Sequence, residues 1–112
     1  MTDTYYAIVC PPVVPGADGR TVATVCLSGE FDVGARDDLH AAVHGVVSGG
    51  LAAFVVVDLS AVTFIDAVSV GELFGGYVAA GRRSIGFRVT GAQGVVRRVL
   101  DVLDPAGLLQ PS

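Results

Sequence analysis

Asp66, Ser69 and Glu72 stand three residues apart in the run Ile65-Asp66-Ala67-Val68-Ser69-Val70-Gly71-Glu72, where an apolar stretch gives way to a helical pattern. The first N–H groups of a helix lack partners within it and favour negative charge, so such a corner suits binding. Ser69 followed three residues later by Glu72 fits a capping box. It predicts that Ser69 Oγ accepts from the Glu72 N–H while the Glu72 carboxylate reaches back to the Ser69 N–H. Asp66 then either satisfies loop N–H groups or offers its carboxylate to a partner, and Asp32 has the same two options.

Two further groups are candidates for chemistry. His40 and His44 share a helix face at i, i+4, with Asp37 one turn earlier, a spacing that can hold zinc. No glutamate of the HExxH kind accompanies them, and other ligands would have to come from elsewhere. The expectation is a solvated helix face with no metal. Cys10 and Cys26 fall in strand-like segments that a hairpin would bring together; two reduced, half-buried thiols are expected. Ser69 lacks a GxSxG setting, and GGYVAAG lies within or at the end of a helix rather than after a strand, so neither a hydrolase elbow nor a nucleotide loop is indicated. These patterns point to a binding protein rather than an enzyme, with no cofactor.

The chain has 112 residues, 52% of them hydrophobic and 16% charged, which fits one domain spanning residues 1–112 with a core of its own. Its net charge of −4, with all seven basic residues arginine, points away from nucleic acid. No apolar run approaches the roughly 20 residues that cross a bilayer. The start Met1-Thr2-Asp3-Thr4 resembles no secretory leader, so a cytoplasmic location is expected. Self-association is left open.

Residues 5–10 and 21–28 read as strands joined by a Pro/Gly loop. Residues 35–47 form an amphipathic helix with Leu39, Val43, Val46 and Val47 inward. Residues 51–59 are apolar without alternation, which predicts a strand covered on both faces. Residues 62–65 are a second short apolar piece. A second helix is expected from about residue 70 to 80, with Val70, Leu73, Phe74 and Tyr77 buried and Gly75 and Gly76 opposite. Either something packs closely on those glycines or the helix tolerates them. Residues 85–90 read as a strand, and 93–103 as a third helix with Val96, Val99, Leu100 and Leu103 inward. Leu108 and Leu109 are expected to fold back onto the core.

Gly29-Glu30-Phe31-Asp32, Val57-Asp58-Leu59-Ser60, Val62-Thr63-Phe64-Ile65-Asp66, Gly71, Leu73 and Val95-Val96-Arg97-Arg98-Val99-Leu100 together resemble a STAS domain of the anti-sigma factor antagonist kind. The resemblance covers nearly the whole chain. It implies an α/β fold, a mixed sheet of about four strands packed against three to four helices. It also implies binding to an anti-sigma factor of the ATP-dependent serine-kinase type, which frees a sigma factor. In that family the second helix opens with Asp-Ser-Ser-Gly, an apolar residue and Gly, and the partner phosphorylates the second serine to break the complex. Here Asp66 and Gly71 match, Ala67 and Val68 replace the serines, and Ser69 stands one residue late, about 100° around the helix. The resemblance therefore implies a partner surface of Asp32, Asp66, Ala67, Val68, Ser69, Gly71 and Glu72. Val68 occupies the acceptor position, and Ser69 is the one hydroxyl nearby. A STAS subunit of another assembly, such as a lipid-transport or stress-signalling complex, is the alternative.

Overall fold

The computed structural model describes residues 5–110; Met1 to Thr4, on which the reading of the chain's start rests, lie outside them. Five strands form one mixed sheet: β1 (Tyr6–Val9), β2 (Val14–Pro15), β3 (Thr21–Phe31), β4 (Phe54–Ile65) and β5 (Gly86–Thr90). The order across the sheet is β1-β3-β4-β5, with β2 paired to the far end of β3. β1 and β2 run antiparallel to β3, whereas β3, β4 and β5 are parallel. Parallel neighbours need crossovers, and α1 (Arg36–Ser48) and α2 (Ala67–Arg82) supply them. Both crossovers step the same way along the sheet, so right-handed connections put both helices on one face. Helix α3 (Gly94–Leu103) completes the layer.

The core lies between that layer and the sheet. Val25 and Leu27 of β3, Val55, Val57 and Leu59 of β4, and Phe87 and Val89 of β5 meet Leu39 and Val43 of α1, Val70 and Leu73 of α2, and Val96 and Leu100 of α3. The expectation that β4 is covered on both faces is corrected here. Burial alternates along it, and Phe54, Val56 and Asp58 are only half-buried on the side away from the helices. Its apolar run reflects β-branched residues suited to a pleated surface, not two-sided cover.

β4 is also longer than its sequence pattern suggests. Residues 54–57 and 62–65 belong to one strand, because register shifts against β3 absorb two extra β4 residues beyond Asp58. Each bulge resets the alternation, so the buried residues become Leu59, Val62 and Ile65, three apart. That long strand carries the chain past β5, whose pairing ends at Asp58–Thr90, and out to the start of α2.

Several local expectations change with packing. Gly76 is buried, not outward, and a Cβ there would lie 2.3 Å from Val43 Cγ1. Close packing therefore accounts for Gly76, while the Cβ position of Gly75 has only His44 Nε2 at 3.7 Å. Leu103 is exposed rather than inward, since α3 turns only Val96 and Leu100 fully into the core. Leu109 is buried and its carbonyl accepts from the Val89 N–H, extending the sheet edge, whereas Leu108 stays exposed. Asp104 shapes that turn by accepting from the N–H groups of Leu108 and Leu109 at 2.8 and 2.9 Å. Cys10 lies exposed just beyond β1 and Cys26 is half-buried on β3 opposite Val9; both thiols are free. No helix among the described residues is long and apolar enough to cross a membrane.

Candidate functional site

The parallel register pairs Phe31 of β3 with Ile65 of β4. Asp32 and Asp66 therefore leave neighbouring strands side by side, at the carboxyl end of the parallel sheet. That end is where open α/β sheets present ligand-binding residues. Both aspartates are extended, and each caps the helical turn directly after it. Asp32 Oδ1 accepts from the Gly34 N–H at 2.9 Å and starts a 3₁₀ turn, Val33–Ala35. Asp66 Oδ1 accepts from the Ser69 N–H at 2.9 Å and starts α2 at Ala67.

The capping box expected at Ser69 is thus replaced by an aspartate cap three residues earlier. Ser69 is already in the first turn and is fully buried. Its hydroxyl donates to the Phe31 carbonyl at 3.2 Å. The same carbonyl accepts from the Asp66 N–H at 3.1 Å. Phe31, at the end of β3, so holds the start of α2 by two hydrogen bonds, and those bonds face Ser69 inward. Glu72 does not reach back to Ser69. Its Oε1 lies 2.6 Å from His40 Nδ1 and its Oε2 3.3 Å from Arg36 Nε, both on α1. The hydrogen bond from His40, then that from Arg36, hold the Glu72 carboxyl below its ordinary value against the opposing effect of burial.

Turning Ser69 and Val70 inward leaves Ala67, Val68 and Gly71 outward. Val68 is 42% exposed, Phe64 at the end of β4 is 44% exposed, and Ala67 and Gly71 are also at the surface. A Cβ on Gly71 would meet nothing within 4 Å, so nothing in the fold demands glycine there. Glycine in a helix costs about 1 kcal/mol against alanine, and here it leaves the backbone bare beside Val68.

The surface continues onto α3. Ile65, Ala67, Val99, Val102 and Leu103 line a shallow apolar groove of about 390 Å³, with Asp66 and Arg98 also among its walls. Sequence reasoning did not place α3 at the site. A signal was present: Val95 and Val102 exceed what one buried stripe requires, and Val102 is 75% exposed. The structure thus brings Asp32, Asp66, Ala67, Val68 and Gly71 to one end of the molecule. It places Ser69 behind them and ties Glu72 to α1. This tip can dock a protein surface by apolar contact framed by two carboxylates.

Comparison with known proteins agrees with this architecture. A family model described as "Mlab, STAS domain" matches residues 17–110. No curated protein sequence matches the chain. Among solved structures, an anti-sigma factor antagonist from Mycobacterium paratuberculosis aligns with TM-score 0.74 and 27% identity, over 91% of this chain and 80% of that one. The anti-sigma factor antagonist SpoIIAA in its unphosphorylated form aligns with TM-score 0.73 and 19% identity, over 88% and 84%. An antisigma-factor antagonist STAS domain from Rhodobacter sphaeroides aligns with TM-score 0.60 and 20% identity, over 80% and 90%. The sheet order, the two one-sided crossovers and a match across most of the sequence lead to one assignment: this chain belongs to the STAS domain family.

Proposed function

We propose that this STAS domain is a regulatory binding protein of the anti-sigma factor antagonist kind, docking a serine-kinase-type anti-sigma factor so that a sigma factor is released. The observation that carries the reading is the exposed hydrocarbon at the start of α2, where Val68 faces solvent between Asp66 and Gly71. Asp32, Asp66, Ala67, Val68 and Gly71 form the contact surface, and Ser69 and Glu72 hold it from behind. A phosphoryl group at position 68 would add close to two negative charges beside Asp66 and disrupt an apolar interface. Valine offers no oxygen to receive one, and the Ser69 hydroxyl is occupied inside the fold. Binding is therefore free of phosphorylation control at this tip.

The missing acceptor also supports a second reading, in which the same surface joins another assembly, a lipid-transport or stress-signalling complex. Affinity capture from the native cell, with Val68→Asp as control, separates the two. Recovery of a kinase-like ATPase that the control fails to capture supports the first reading; transporter ATPase or permease subunits support the second. Incubation of the captured kinase with ATP and the Val68→Ser variant should transfer phosphate to the new hydroxyl. Stoichiometric phosphate on Ser69 of the unaltered protein would overturn the claim of phospho-independence.

A further inference from the structure

His40 and His44 on α1 meet Glu72 from α2 at a point the docking surface does not use. The two imidazoles stack with centroids 4.1 Å apart and 21° between their planes. One donor atom from each of the three residues can be chosen so that all lie within 4.8 Å of one another. The i, i+4 spacing alone supplies two ligands; the packing of α2 on α1 supplies the third. Ligands on a tetrahedron with zinc bonds near 2.0–2.1 Å stand about 3.3 Å apart. Reaching that geometry requires the 2.6 Å His40–Glu72 contact to open slightly and the wider separations to close. The His40 side chain, 56% exposed, has room to move, whereas the Glu72 side chain, 13% exposed, is held in place.

We propose that His40, His44 and Glu72 form a binding site for a transition-metal dication of the zinc class that bridges α1 and α2, with solvent as the remaining ligand. Two neutral imidazoles and one carboxylate suit zinc, cobalt, nickel or copper and do not suit calcium or magnesium, which take oxygen ligands. Arg36 keeps one Glu72 oxygen, so the carboxylate binds through the other. Arg36 thereby orients the ligand and also competes with the ion for its charge. Glu72 lies one turn along α2 from Val68, so the ion would clamp the helix whose first turn forms the tip. The site itself does not depend on which partner docks there.

The test uses tag-free protein with Cys10→Ser and Cys26→Ser, so that thiols contribute no ligands. Zinc chloride is titrated by calorimetry and cobalt chloride by visible absorption, near pH 7.5. One ion per chain is expected, with cobalt bands of four- or five-coordination. His40→Ala, His44→Ala and Glu72→Gln should each weaken binding by at least about tenfold. Arg36→Ala, which frees the second carboxylate oxygen and removes a positive charge, should tighten it. The absence of saturable binding up to about 1 mM zinc, or unchanged stoichiometric binding after His40 and His44 are both replaced by alanine, would overturn the site. Neither result bears on sigma-factor regulation, which the capture experiment reads separately.

Discussion

Adjacent glycines in α2 should respond to alanine in opposite directions. At Gly76 the added methyl would stand 2.3 Å from Val43 Cγ1 and 3.0 and 3.1 Å from two ring carbons of Phe87. Carbon atoms in contact normally keep about 3.5–4.0 Å, so the Val43 approach is short by more than about 1 Å. Val43 cannot easily turn away, because it is fully buried and β-branched side chains are stiff on a helix. Overpacking costs about 1–3 kcal/mol, an overlap of this size against two buried side chains belongs in the upper part of that range, about 2–3, and the better helix propensity of alanine returns about 1. Gly76→Ala should therefore destabilise the fold by about 1–2 kcal/mol. At Gly75 the nearest atom to the new methyl is His44 Nε2 at 3.7 Å, an ordinary contact. Gly75→Ala should thus gain about 0.5–1 kcal/mol from propensity alone. For a domain of this size, 1 kcal/mol moves Tm by about 4 °C, so the two variants should melt about 6–12 °C apart, on either side of the parent. Thermal melts followed by circular dichroism, checked by urea midpoints at constant slope, measure this. A Gly76→Ala protein as stable as the parent would refute the close approach of α1 and α2.

Three other perturbations test the tip and the α1–α2 pair. Asp66→Ala removes the cap of α2 and should cost about 1 kcal/mol, and Ser69→Ala should cost a similar amount through the lost bond to the Phe31 carbonyl. Denaturant titration of both variants checks this; a neutral Ser69→Ala would mean that the hydroxyl is not held inside. Glu72 has its pKa lowered in the folded state, so its contribution is complete above its ordinary value of 4.5 and drains away as pH falls through the depressed one. Because solvent reaches Arg36 and His40, the advantage over Glu72→Gln should be about 0.5–1 kcal/mol at neutral pH and vanish in acid, measured with a chelator present.

What could be read in the sequence divides along a physical line. The helices announced themselves where one face is apolar and the other charged: Leu39, Val43 and Val47 against Arg36, Asp37 and His40 fixed α1 nearly to the residue. The alternation of strands and helices along the chain came with them, because each crossover helix sits between two apolar runs. β4 was harder, since its two bulges, one between Asp58 and Ala61 and one between Val62 and Phe64, break the period-two pattern and make one strand look like two. Sidedness was hidden as well, because valine at both inward and half-exposed positions leaves no alternation to count. Glu72 looked like a capping residue because its partners, Arg36 and His40, lie 36 and 32 positions away and only the packing of α2 on α1 joins them.

The start of α2 shows most clearly how a tertiary contact settles a local tie. Asp66 with Ser69 and Ser69 with Glu72 both offer a side-chain oxygen to an N–H three residues on, and local chemistry scarcely separates them. The Phe31 carbonyl breaks the tie: it takes the Asp66 N–H and the Ser69 hydroxyl together, so the helix must begin at Ala67. That choice sets the rotational phase of everything after it. With each residue turning about 100°, placing Ser69 inside places Val68 outside. A cap at Ser69 would instead have left its oxygen at the helix end rather than bonded to the Phe31 carbonyl. The aspartate cap therefore withdraws the Ser69 hydroxyl from solvent, and the side chain that the surface presents beside it is Val68.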